Sequence, residues 1–319
     1  MNKKAQPDNL VNQGFKLMQT GKNRDAKNKF EQALQIDPHH FDALQLLGLL
    51  LGQNKEYAEC IKFLSQAIKI RPNHTVTLNN LGNALKELNF FKEAIVYYDR
   101  AITLQPDYAE AYNNRGLVLK ELNHFEDAIK NYEKTITLQP NNAEAYNNLG
   151  VLLMELLFLD EAIGVLNKAI SIKNHYANAH WNLSLCYLLK GNLKDGFREY
   201  EWRWESKGLQ SSRRNYQIPL WLGEEPLLGK TILIYGEQGL GDYIQFSRYI
   251  ELVARLGARV VLEVPSPLFK LMSNLKGVSI LVVAGEELPH VEYQCPMMSL
   301  PLAFKSELTN IPAKIPRHL

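Results

Sequence analysis

Pro38, Pro72, Pro106 and Pro140 stand 34 residues apart, and Asn174 takes the next place in the series. A fixed period of this length restricts the chain to stacked two-helix units, because no single unit can bury its apolar stripe alone. Other positions keep step. Leu-Asn-Asn-Leu-Gly at 78–82 recurs as Tyr-Asn-Asn-Arg-Gly at 112–116 and Tyr-Asn-Asn-Leu-Gly at 146–150. Gly14, Gly48, Gly82, Gly116 and Gly150 mark one register, and Ala26, Cys60, Ala94, Ala128 and Ala162 a second. Phe30, Leu64, Tyr98, Tyr132 and Leu166 mark a third. Small residues let two helix backbones approach, and large ones fill the gap beside them. Each proline stops a second helix, while Asp42, Glu110 and Glu144 fall in the first turn of the next, where the helix dipole favours a carboxylate.

This pattern resembles the tetratricopeptide repeat (TPR). It covers residues 7–205 as about six units, the last degenerate, with Ser184 in place of glycine and Gly196 in place of alanine. The resemblance implies an α-helical superhelix that holds a protein or an extended peptide on a face lined by the first helix of each unit. In that helix Asn12, Asn80, Asn114, Asn148 and Asn182 share one position, broken only by Leu46. A carboxamide both donates and accepts, so a ladder of them suits the backbone of an extended peptide. The same residues also suit hydrogen bonds between helices. The ladder resembles the TPR region of protein O-linked N-acetylglucosamine transferases, where matching asparagines contact substrate backbone. TPR domains that clamp C-terminal carboxylates carry lysines on this face. Here the position before the ladder holds Val11, Gln45, Asn79, Asn113, Asn147 and Trp181.

The 34-residue phase is lost near residue 205, and 206–216 reads as a polar linker. A different pattern follows over 217–319. Thr231–Tyr235, 258–264 and 278–283 are short apolar runs suited to buried parallel strands, with helical spacing over 243–256 and 267–275. This predicts a βαβαβ unit, an α/β Rossmann-like half domain. Its chemistry belongs in the loop after the first strand, Gly236-Glu-Gln-Gly-Leu-Gly-Asp242. A dinucleotide fingerprint fails there, because Ile244 stands where the third glycine is required. A phosphate loop at Gly229-Lys230-Thr231 fails too, since Glu224 replaces its first glycine and the segment precedes the strand.

Tyr200-Glu-Trp-Arg-Trp, Pro219-Leu-Trp-Leu-Gly, Leu228-Gly-Lys, Gly239-Leu-Gly-Asp-Tyr-Ile-Gln-Phe and Met298-Ser-Leu-Pro-Leu-Ala-Phe together resemble the N-terminal half of a GT-B glycosyltransferase. The type is the heptosyltransferase-like one found behind bacterial TPR arrays. The resemblance implies that Asp242 serves as general base toward an acceptor hydroxyl, with Gly236, Glu237, Gln238, Gly239 and Gly241 forming the acceptor loop. Asp242 equally suits the cap of the following helix. The donor-binding half of such an enzyme has no counterpart before Leu319. A nucleotide-sugar is therefore expected as a ligand only if that half is supplied, and no cofactor is expected. Trp202, Trp204 and Trp221 read as packing between repeats and sheet.

Composition excludes other classes. A net charge of +2 gives no basic field for nucleic acid, and no run approaches the length of a membrane span. Cys60, Cys186 and Cys295 are far apart without metal-type spacing, which predicts three buried thiols and no metal site. The expectation is a cytoplasmic interaction module carrying a partial glycosyltransferase-like domain, not catalytic by itself. The alternative is the acceptor-binding part of a bacterial TPR glycosyltransferase.

Overall fold

A computed structural model describes residues 5–206, 214, 217–237 and 239–312. The chain divides into two compact units, Met1–Leu152 and Leu153–Leu319.

The first unit is built of antiparallel helix pairs: α1 (Ala5–Gln19) with α2 (Asn23–Ile36), α3 (Phe41–Gln53) with α4 (Tyr57–Ile70), α5 (Thr75–Glu87) with α6 (Phe91–Leu104), and α7 (Ala109–Glu121) with α8 (Phe125–Leu138). The next helix, α9 (Ala143–Glu155), spans the division between the units. The three sequence registers meet inside each pair. Built onto Gly14, Gly48, Gly82 and Gly116, a Cβ atom would stand 2.6, 2.5, 2.6 and 2.7 Å from Phe30, Leu64, Tyr98 and Tyr132 respectively. Those four large side chains are fully buried, as are Ala26, Ala94 and Ala128. Glycine is thus what lets the first helix lie on the large residue of the second.

The turn inside each pair is set by its backbone. Gly21, Lys55, Asn89, Asn123, Leu157 and Gly191, again 34 residues apart, all have positive φ. In the second repeat the Lys55 amide reaches the Gly52 carbonyl and the Glu56 amide reaches the Leu51 carbonyl, at 3.0 and 2.8 Å. This is a Schellman closure, which satisfies the last carbonyls of α3 and turns the chain into α4.

The second unit contains α10 (Leu159–Ile172), α11 (Ala177–Leu189), α12 (Leu193–Tyr200) and a 3-10 turn, Glu201–Trp204. After them comes a parallel sheet of β1 (Thr231–Tyr235), β2 (Arg259–Val264), β3 (Val278–Val283) and β4 (Tyr293–Pro296), in the order β3-β2-β1-β4. Side chains alternate across it. Ile232, Ile234, Val260 and Leu262 share one core with Phe246, Ile250 and Val253, whereas Leu233, Tyr235, Val261, Val282 and Val291 form a core on the opposite face. Phe197 and Tyr200 of the helical segment belong to the first of these cores. The last repeat and the sheet therefore share one interior, and this is why the compact unit begins at Leu153 and not at the linker.

Three strands lie where the apolar runs place them, and β4 is an addition that Tyr293-Gln-Cys-Pro, only four residues long, does not announce. The helix expected over 243–256 starts earlier and is interrupted, as α13 (Leu240–Phe246), a 3-10 turn at Ser247–Tyr249, and α14 (Ile250–Arg255). The one expected over 267–275 shortens to α15 (Phe269–Met272), and α16 (Leu300–Ala303) follows β4. The 206–216 segment lies outside the described residues except for Ser206 and Arg214. All three cysteines are buried free thiols. Among the described residues no cluster suits a metal ion, and no helix is long and apolar enough to cross a membrane.

Candidate functional site

In the first unit Asn12, Asn80, Asn114 and Asn148 occupy the same face of their helices, because each repeat packs its first helix on its second through the same registers. The residue before it points inward. Asn79, Asn113 and Asn147 are buried, while Asn80, Asn114 and Asn148 are half-buried at the surface and Asn12 is exposed. The two rows are stitched together between repeats. Asn114 Nδ2 donates to Asn79 Oδ1 and Asn148 Nδ2 to Asn113 Oδ1, both at 3.1 Å. Asn79 Nδ2 in turn donates to Glu110 Oε1 at 2.9 Å. The doubled asparagine is thus a hydrogen-bonded joint between neighbouring helices, and the surface member keeps Oδ1 and one N–H for another partner. Asn80 differs. The position that would receive its bond, one repeat earlier, holds Gln45, and Asn80 makes no side-chain hydrogen bond among the described residues. Asn182 is half-buried on α11 in the second unit.

Beside Asn80 and Asn114 lies an open cavity of about 350 Å³. Its floor includes Cys60, whose thiol burial pushes up to about 11. Its wall includes Asn83, held by the buried Tyr98 hydroxyl, which donates to Asn83 Oδ1 at 2.7 Å. At its rim the Lys86 ammonium pairs with the Glu87 carboxylate at 3.0 Å. The ladder pattern does not reveal this hollow, because it arises where the pattern is broken.

In the second unit, the loop after β1 is tied to the 3-10 turn that follows α12. Glu237 is not available to an acceptor: its side chain is 2% exposed and accepts two hydrogen bonds from Arg203, from Nε at 2.7 Å and Nη2 at 2.8 Å. The remaining N–H groups of this fully buried guanidinium go to Glu201 Oε1, the Tyr200 carbonyl and Ser299 Oγ. All five donors are used, and the plane lies 4.2 and 4.8 Å from the Trp204 and Tyr200 rings. Burial works against its charge, but the bonds to Glu237 and the charge of Glu201 outweigh it and hold its pKa above the ordinary arginine value. The neighbouring strand repeats the device, with buried Glu263 on β2 paired to Arg214.

Asp242, partly exposed, stands in the first turn of α13 and accepts from the Gly239 amide at 3.1 Å, which is a helix-capping bond. No Cβ contact would arise at Gly239 or Gly241, whereas a Cβ on Gly236 would run into the Tyr243 ring at 2.3 Å. Gln238 lies outside the described residues. Of the tryptophans, Trp221 is buried and donates to the Glu225 carbonyl, Trp204 covers Arg203, and Trp202 stacks on His180 at 4.0 Å.

Comparison with known proteins accords with the helical part. Tetratricopeptide repeat models match residues 17–81, 82–123, 118–156 and 143–176. Residues 17–176 are thus tetratricopeptide repeats. Among solved structures it is similar to PilW, a widely conserved type IV pilus biogenesis factor, at 22% identity and a TM-score of 0.58, covering 64% of this chain and 97% of that one. For PilF of Pseudomonas aeruginosa the identity is 20% and the TM-score 0.56, with 67% and 96% covered. MamA aligns at 27% identity with a TM-score of 0.47, over 51% and 96%. No curated protein matches the chain. The PilW and PilF likenesses show the repeat fold, and the tetratricopeptide repeats themselves mark a module for protein–protein interaction.

Proposed function

We propose that this protein is a cytoplasmic interaction module that holds an extended protein segment along the first-helix face of its repeats. The carboxamides of Asn80, Asn114 and Asn148 grip the backbone, and Asn12 and Asn182 occupy the same register in the first and last repeats. The observation that carries this reading is Asn80, a half-buried carboxamide with no partner among the described residues, beside an open cavity. Two donors and an acceptor left unused on the wall of a hollow match what a peptide unit presents. The test is a peptide selected on the intact chain from a random display library, with affinity then measured by calorimetry. Replacing Asn80, Asn114 and Asn148 together by alanine should weaken binding about tenfold or more while the helical circular dichroism persists. Unchanged affinity overturns the reading.

A second reading takes residues 217–319 as the acceptor-binding part of a bacterial GT-B-type sugar transferase. It is favoured by the position of the Gly236–Asp242 loop at the carboxyl end of β1, where the strand order reverses between β2 and β4. Asp242 would then be the base, and the nucleotide-sugar would bind a half outside this sequence. Under the first reading a panel of acceptor glycans leaves the melting temperature of the 319-residue chain unmoved; a saturable rise favours the second.

A further inference from the structure

The cavity at Asn80 has a local cause in the sequence. Gly52 occupies a repeat position that carries Met18, Lys86, Lys120 and Met154 elsewhere, so one long side chain is missing from an otherwise filled row. Where a Cβ of residue 52 would stand, the nearest atom outside its own helix is Cys60 Sγ at 3.3 Å. Leu49, Gly52, Ala84 and Cys60 give the hollow an apolar side, and its other uncharged lining includes Gln53, Asn80, Asn83 and Asn114. The same repeat breaks the asparagine register twice, at Gln45 and Leu46, and this deprives Asn80 of the inter-repeat bond that Asn114 and Asn148 make.

Building on the reading of this face as a peptide-holding surface, we propose that the Gly52 cavity is an anchor pocket that receives one uncharged apolar or aromatic side chain of the held segment. Charge decides against an ionic occupant. The two ionised groups at the rim, Lys86 and Glu87, neutralise each other at 3.0 Å, and the Tyr57 hydroxyl donates to the same carboxylate at 3.4 Å. The Cys60 thiol is held neutral by burial. An entering ammonium or carboxylate would lose its hydration without gaining a net counter-charge, whereas an apolar group loses only water. Geometry decides for a peptide over a free apolar molecule. Asn80 flanks the hollow with an unused carboxamide and Asn114 with its Oδ1 and one N–H, and an extended strand that turns one side chain inward presents its N–H and C=O groups beside that residue. The array then grips any backbone through its ladder and chooses among sequences at one position.

The experiment compares the wild-type chain with the double variant Gly52→Met, Cys60→Ala. This pair reproduces Met18 and Ala26 of the first repeat, so the fold already tolerates it once. A peptide selected from the display library on the wild-type chain should carry an aromatic or large aliphatic residue at one fixed place. Changing that residue to alanine should weaken binding to wild type about ten- to hundredfold and should leave binding to the double variant unchanged. A preference that survives in the double variant overturns the pocket, and so does selection of Lys, Arg, Asp or Glu at that place. The triple asparagine variant separates the two ideas. If it loses affinity while the double variant keeps the preference, the pocket fails and the groove stands. If it binds normally, or no peptide is selected at all, both fail.

Discussion

Adding a single methyl group to Gly116 tests how the repeats are packed. The new Cβ would lie 2.7 Å from Tyr132 Cε1 and 3.0 Å from Cδ1, well inside the roughly 3.5–4.0 Å of an ordinary carbon contact. Tyr132 is fully buried and its ring is rigid, so α7 or α8 must shift. Such overpacking costs about 1–3 kcal/mol. Gly→Ala inside a helix also gains about 1 kcal/mol of propensity. The net loss is therefore small, about 0–2 kcal/mol, and its sign alone decides little. Gly164 in α10 supplies the reference, because its Cβ would meet nothing within 4 Å. The propensity gain is common to both substitutions, and the difference between them isolates the overlap, about 1–3 kcal/mol. Urea unfolding followed by circular dichroism measures each variant against the transition of the compact unit that carries it. In a Tyr132→Ala background the methyl has room, and Gly116→Ala should become stabilising. Equal gains at positions 116 and 164, or no dependence on Tyr132, would refute this packing.

Three further outcomes follow from other sites. Arg203→Ala should destabilise the second unit by about 3–5 kcal/mol, since it leaves Glu237 buried without its cation; a urea midpoint within error of wild type would contradict the network. Leu157→Gly should stabilise by about 0.5–1 kcal/mol, because Leu157 is 70% exposed yet sits at φ 64°, and a lower melting temperature would count against strain at this turn. His74 caps α5 by accepting the Thr77 amide, and burial, aided by Arg71, lowers its pKa below the ordinary value of about 6.5. A lowered folded pKa means that its contribution is whole above about pH 6.5 and drains away as pH falls through the folded value. Urea midpoints between pH 7.5 and 5 should drop more for wild type than for His74→Asn, which caps without titrating; parallel curves would remove His74 as the cause.

The repeat fold was legible because one spacing recurs in three registers, and each register answers a separate packing demand. Gly116, Tyr132 and Ala128 name their contacts before any coordinates do. The asparagine row was legible as a surface. Its bonding was not, because Asn114 reaches a residue in the preceding repeat, a partner that only the stacking of α5 on α7 brings near. The cavity escaped notice for the opposite reason. Gly52 announces an absence, and an absence becomes a hollow only when the surrounding side chains are in place. In the second unit, Glu237 read as a loop residue near a reaction centre. Its carboxylate proved to be tied to Arg203, 34 positions earlier, and no local pattern links the two.

The buried arginine also bears on how this protein can be taken apart. A fragment that stops after the last recognisable repeat would end beside Arg203 with Glu237 and Ser299 gone, and Phe197 and Tyr200 stripped of the sheet they pack into. One that starts at the sheet would leave Glu237 facing solvent where a guanidinium had been. The boundary that the repeat count suggests is thus a cut through a shared interior, and a severable piece has to carry α10, α11 and α12 along with the strands.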